Sequence, residues 1–408
     1  MAKKFKKQLM ALLGVTAMTV SIFSGCGSSS SSSSSTSGDT IKIGSIHPLT
    51  GSYAYEGQAI VNAQQLAIDQ INADGGIKAL NGKKLELVTG DSQGEADTGA
   101  SEAERLISQG CSVLTGTFQS SVTQTVMQKA EQNQIPCVVT VSNNVDMFEQ
   151  GYKYSFRIQP NATVQAKDFI DYISSVKTDD IKTAVLINED SQTGSDNGDI
   201  IESNIEKTGI KLVDRITYSA SASSLSTEVT KIQKDAPDLL ITIGYYADTS
   251  LLVQELNQRG VELKMVCGVA NGGISDPKFI TTFGDKVNNY LDVNYRYNPK
   301  SEEAQKLLSN YKEKYGDDMS VHAIYGYESI YLIAQAIENA GSDDPQKIRD
   351  SLATGTFKNH VLAQSDEIKF DDKGENVNAA SVMVQIQDGK QVVVYPSDYA
   401  EAEIKYDD

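Results

Sequence analysis

Apolar and polar positions along this chain alternate between two rhythms. Short aliphatic runs at Ile41–Ile46, Lys84–Val88, Cys111–Leu114 and Ile135–Val141 have the length and composition of buried strands. Between them, Gly57–Asn72, Ala96–Gln109 and Gln124–Glu131 space their apolar residues as helices do; Ile60, Ala63, Leu66 and Ala67 mark the first. Repeated β-α-β units predict a parallel sheet with helices on both faces. Tyr154–Pro160 breaks the rhythm and reads as an extended crossover. A second series then begins. Helices at Val164–Val176, Asp196–Thr208, Ser224–Lys234 and Thr249–Arg259 interleave with strands at Thr183–Asn188, Lys211–Ile216, Leu239–Ile243 and Lys264–Gly268. Asn289–Tyr297 reads as another extended crossing. Helices at Ser301–Tyr315, Ala323–Ala340 and Pro345–Ala353 return to the first half, and strands at Glu367–Phe370 and Ala380–Gln387 precede an acidic tail. The expected fold is α/β, with two Rossmann-like lobes of parallel sheet: 40–160 with 298–360 as lobe 1, and 161–297 with 361–408 as lobe 2.

Ligands in such sheets bind beyond the carboxyl ends of the strands, so two lobes would present their loops to one shared cleft. Gly116-Thr117-Phe118-Gln119-Ser120-Ser121 lies between a strand's carboxyl end and a helix's amino end. Free backbone N–H groups, a positive dipole end and two adjacent hydroxyls make a natural cradle for a carboxylate there. The plainer reading is that Ser120 and Ser121 cap the helix.

Composition sharpens this picture. At 408 residues and 39% hydrophobic content the chain can bury two ordinary cores. A formal charge of −18 argues against a nucleic-acid partner, since no basic stripe exists to meet phosphates. Lys3, Lys4, Lys6 and Lys7 begin the chain, and an apolar stretch from Leu9 to Phe23 follows, shorter than a comfortable membrane span. Phe23-Ser24-Gly25-Cys26 resembles a bacterial lipobox, in which Cys26 is lipidated and becomes the new amino terminus; an uncleaved signal anchor is the alternative. Loss of residues 1–25 and their four lysines would take the charge from −18 to −22. Residues 26–39, largely serine, then form a flexible tether. Anchor, tether and folded body together predict an extracytoplasmic protein held at the bacterial cell membrane.

Assembled catalytic chemistry is absent from the sequence. His47, His322 and His360 lie in separate segments without metal-ligand spacing. Gly94-Glu95-Ala96-Asp97-Thr98-Gly99-Ala100-Ser101 has the glycine spacing of a phosphate loop, but Ala100 stands where the lysine is needed. Asp371-Asp372-Lys373-Gly374 is too short for a calcium loop. Neither enzyme activity, metal nor cofactor is expected. Cys111, Cys137 and Cys267 sit in apolar runs and read as buried thiols, with a Cys111–Cys137 bridge open if their strands are neighbours.

Taken in order, Gly44–Gly51, Ala67–Ile77, Gly116–Ser121, Phe156-Arg157, Ala323–Tyr327 with Ala334–Glu338, and Ile368–Gly374 resemble the type I periplasmic binding proteins, in the leucine/isoleucine/valine-binding branch. The resemblance covers about residues 40–390. It implies two lobes joined by three hinge crossovers, closing as a monomer on an amino acid that is delivered to the membrane permease of an ABC transporter. In that family the ligand's α-carboxylate sits on the serine turn, matched by Ser120 and Ser121, and on the next strand end, matched by Val141, Ser142 and Asn143. Tyr245 matches the family's tyrosine that packs over the ligand. Tyr53 and Tyr55 fall in a ligand-facing loop, though an aromatic in a turn also serves as packing. The family's branched-chain members hold the α-ammonium with a glutamate after the strand that Lys264–Gly268 matches. Here that loop reads Val269-Ala270-Asn271-Gly272-Gly273. A buried ammonium without a counter-charge is costly, so Glu189 or Asp190 takes the role with Asn271 accepting one bond, or the ligand lacks the ammonium and is an amide or carboxylate. A ligand-sensing subunit for a signalling partner is the other reading.

Overall fold

The computed structural model describes residues 40–406, so the signal segment, the serine tether and Cys26 lie outside the described residues. Strands β1 (Thr40–His47), β2 (Lys84–Asp91), β3 (Val113–Gly116), β4 (Cys137–Val139) and β5 (Ser155–Arg157) form an all-parallel sheet in the order β2-β1-β3-β4-β5. Helices α1 (Ala54–Ala73), α2 (Ala96–Ser108) and α3 (Ser120–Asn133) connect them. Every residue of β3 and β4 is buried, as expected of central strands covered on both faces.

The second sheet has seven strands in the order β12-β11-β10-β9-β8-β6-β7. They are β6 (Thr183–Glu189), β7 (Lys211–Tyr218), β8 (Leu239–Ile243), β9 (Met265–Val269), β10 (Leu291–Asn294), β11 (Val382–Gln387) and β12 (Lys390–Tyr395). Its helices are α4 (Ala162–Val176), α5 (Gln192–Asn204), α6 (Ser226–Asp235), α7 (Tyr246–Gln258) and the short α8 (Pro277–Phe283). β6 to β10 pair in parallel, whereas β11 and β12 form an antiparallel hairpin against β10. The expectation of purely parallel sheets therefore holds for one lobe and needs this edge added in the other. Two segments read as crossings begin as strands: β5 closes the first sheet and β10 continues the second, each just before the chain crosses.

Helices α9 (Glu302–Tyr315), α10 (Val321–Ala340) and α11 (Pro345–Thr354) come back to the first sheet. α10 is buried along nearly its whole length and shares one core with β1, α1 and β5. Gly326 permits this close packing, because a Cβ there would lie 2.7 Å from Ile60 Cγ2 and 3.1 Å from its carbonyl oxygen. Three crossing segments run side by side and bond to one another. Asn298 N donates to Val361 O (2.6 Å), Ala363 N to Arg296 O (2.8 Å) and Asn376 N to Arg157 O (3.1 Å). At the crossing after β5, the Arg157 guanidinium is fully buried, forms a bidentate bridge to Glu375 and donates to the carbonyls of Ser142 and Asn144. Among the described residues no helix is long and apolar enough to cross a membrane. Cys111, Cys137 and Cys267 are buried thiols, so the Cys111–Cys137 bridge is not formed.

Candidate ligand-binding cleft

The carboxyl ends of β3, β4, β6 and β8 meet between the two sheets. On the first side β3 ends at Gly116, whose φ of +135° and approach to Ile46 O, 2.3 Å from where a Cβ would stand, leave room for no side chain. The turn leads directly into α3, whose first N–H groups carry no side-chain cap. Neither serine caps the helix. Ser121 is exposed, and the buried Ser120 reaches across the cleft, its Oγ 3.4 Å from Thr193 Oγ1 at the start of α5.

Ser142, at the neighbouring strand end, is committed to its own lobe. Its hydroxyl bonds to Phe118 O (3.1 Å) and to Thr123 Oγ1, which also contacts Thr117 Oγ1 and donates to Gln119 O (2.9 Å). Its carbonyl takes Arg157 Nη1 and Gln159 Nε2. Asn143 faces the gap instead: it is 3% exposed, and its Nδ2 donates to Oε1 of the fully buried Gln165, in the first turn of α4, at 2.6 Å. Val141 packs with Ile60 and Phe118.

Tyr53, Phe118 and Tyr245 close over this point with ring centroids 5.1–5.7 Å apart, and His322 stands edge-on to Phe118 at 5.1 Å. Together they leave a cavity of about 20 Å³, room for roughly one water-sized group. Phe118, Val141, Asn143, Gln165, Thr193, Tyr245, Ala270, Gly272, Tyr295 and His322 line it. None of these side chains is charged: burial holds His322 down to about 4, so its imidazole is neutral. A larger hollow of about 380 Å³ lies on the outer surface by Gln70, Tyr327 and Glu328, away from the strand ends.

The sequence-expected residues thus separate. Ser120, Val141, Asn143, Tyr53 and Tyr245 converge. Tyr55 sits at the cleft's rim, where its hydroxyl is 3.3 Å from Asp276 Oδ1 and Lys278 Nζ lies 4.4 Å from its ring centroid. Asn271 is spent on its own loop: Oδ1 accepts from Gly273 N, Ile274 N and Thr249 Oγ1, while Nδ2 donates to Thr242 Oγ1. Asp190 is exposed and accepts from Ala220 N (2.9 Å). Glu189 is fully buried, its carboxylate taking the N–H and hydroxyl of Ser191; desolvation nevertheless pushes it up to about 7. Its charge acts on both Tyr53 and Tyr245.

Sequence reasoning passed over Gln165, Thr193, Tyr295, His322 and Asp248. Thr193 follows a strand end much as Ser120 does, so the rule that found one could have found the other. Gln165 and His322 occupy first turns of helices. Asp248, in the first turn of α7, is buried beside Tyr218, which donates to it at 2.5 Å; desolvation pushes it up to about 6. Among the described residues no group of three His, Cys, Asp or Glu could hold a metal ion.

The family description "Periplasmic binding protein" matches residues 40–391, most of the chain and both sheets. The chain belongs to the periplasmic binding protein family. Among relatives of this periplasmic binding protein, a Leu/Ile/Val-binding protein homolog 8 of Brucella abortus is 27% identical over 379 residues, covering 90% of this chain and 93% of the relative. Two solved structures share the type I fold. The branched-chain amino acid transporter substrate binding protein LivJ from Streptococcus pneumoniae, in complex with isoleucine, has a TM-score of 0.76 at 24% identity, covering 90% of this chain and 100% of its own. A Rhodopseudomonas palustris solute binding protein in complex with benzoate also scores 0.76 at 17% identity, with 87% and 95% covered. Membership of this family implies an extracytoplasmic location and a solute-binding role.

Proposed function

We propose that this protein is a lipid-anchored solute-binding protein of an ABC importer, which closes its two lobes on an amino acid or related small molecule and delivers it to a membrane permease. One observation carries the reading: Ser120 and Thr193, at the starts of helices from opposite lobes, meet at 3.4 Å beside an enclosed, uncharged cavity. The uncapped start of α3 offers backbone N–H groups to a carboxylate. With Asn271 engaged in its loop and Asp190 on the surface, Glu189 is the acid proposed to face a ligand ammonium through the Tyr245 side, with Asp248 behind it. Val141, Asn143, Tyr53 and Tyr245 supply the contact surface, and Cys26 carries the lipid.

Three or four charge-assisted hydrogen bonds, at ~1.5–3 kcal/mol each, give roughly 5–12 kcal/mol gross before the cost of association. After that cost at most about 8 kcal/mol remains, which corresponds to dissociation constants of micromolar or weaker. Calorimetry of the stripped protein against free amino acids is the test; heat at micromolar concentration supports the reading, and silence from all twenty ends the amino-acid part of it and forces another ligand class. For the anchor, a Cys26→Ala variant should lose radiolabelled palmitate, and retained label would refute lipidation at that residue.

A further inference from the structure

Two polar atoms of residues that line the cavity are buried without a hydrogen-bond partner: Asn143 Oδ1 and Gln165 Nε2. Both residues are at least nine-tenths buried, at 3% and 0% exposure, and their amides are joined to each other at 2.6 Å. The pair therefore presents one free acceptor beside one free donor. Exchanging the oxygen and nitrogen of both amides reverses which residue supplies which, and still leaves one of each. Charge is absent from the rest of the lining.

We propose that the solute carries a primary carboxamide, which docks on Asn143 and Gln165. This rests on the binding-protein reading above and narrows its ligand class. A carboxamide offers a carbonyl acceptor and an N–H donor side by side in one plane, the complement of what the wall presents. The amide group is uncharged, so it meets this uncharged lining at little desolvation cost compared with a carboxylate. A branched alkyl group in the same place would leave both orphaned atoms unpaired, and each unpaired atom weakens binding by roughly ten- to hundredfold.

Calorimetry on the stripped full-length protein should compare L-asparagine and L-glutamine with L-aspartate, L-glutamate and L-leucine. The carboxamides are expected to bind at least thirtyfold more tightly than their isosteric acids and than leucine. Gln165→Leu should erase that preference while the ligand-free melting curve stays within a few degrees of wild type. Mass spectrometry of solute released from freshly purified wild-type protein reads the same question without a variant, and an amide-bearing compound supports the proposal. Tight leucine binding that survives Gln165→Leu overturns the carboxamide and leaves the binding-protein reading standing. Failure of all five solutes, with no amide-bearing solute released, overturns the carboxamide, while the binding-protein reading falls only if the remaining amino acids are silent too.

Discussion

The two walls that meet in the cleft are built on opposite electrostatic plans. Beneath β3 and β4, hydroxyls bond to one another and to carbonyls, and the one buried cation, Arg157, is fully paired with Glu375. Beneath β6 and β8, two carboxylates, Glu189 and Asp248, are buried near each other and held by N–H and O–H donors alone. The first wall is neutral and tightly bonded, whereas the second keeps acids whose protonation lies within reach of ordinary pH. A cleft made this way has one fixed jaw and one whose charge responds to its surroundings.

Breaking the fixed jaw should have the largest effect. Arg157→Met strips the partner from half-buried Glu375 and the donors from Ser142 and Asn144 carbonyls, an expected loss of about 3–5 kcal/mol in chemical denaturation. A loss below about 1 kcal/mol would show that the first wall does not depend on this cation. On the second wall, Asn271→Ala leaves the Gly273 and Ile274 N–H groups without their acceptor, at a cost of about 2–4 kcal/mol. Because Asn271 is spent on its loop, solute affinity in the surviving folded fraction should change less than stability does; calorimetry beside denaturation separates the two.

The smallest effect sharpens the contrast through pH. Glu189 titrates near 7 in the folded chain, above its unfolded value near 4.5, so the folded state holds the proton more tightly. Its contribution to stability is complete below about pH 4.5 and is lost as pH rises to 7. Glu189→Gln should flatten the fall in stability across that window, by up to about 3 kcal/mol. An unchanged slope would place the titration elsewhere, since Asp248 at about 6 and Asp292 at about 7 share the interval.

How legible was all this beforehand? The β-α rhythm is written in aliphatic runs and helical spacing, and it locates nine of the twelve strands at least in part, missing β5, β10 and β12. β10 lies inside a segment that reads as a crossing, where Asp292 and Asn294 alternate with apolar neighbours. In the fold both are buried, with Ser275 and Asn294 donating to the Asp292 carboxylate, so polarity misreports exposure there. α8 was missed although Asp276 and Pro277 form a plain start signal, because its seven residues show too little periodicity. At the cleft, strand ends pointed to Ser120, Asn143 and Tyr245. Gln165 and His322 arrive from helices that follow crossings, and no spacing in the sequence shows where a crossing delivers them. Asn271 looks available in the sequence, but two of its bonds lie within its own loop and the others go to Thr249 on α7 and Thr242 on β8.

The seating of α1 against α10 also bears on the order in which the molecule can assemble. Tyr327 and its partner Gln70 are 257 positions apart, so nascent α1 waits for most of the chain to emerge before its apolar side is covered. Residues 162–294 meanwhile supply five adjacent strands and their helices, lacking only the β11–β12 hairpin. Most of the second lobe can therefore consolidate during synthesis before the first lobe is finished, and its own hairpin edge is added after that.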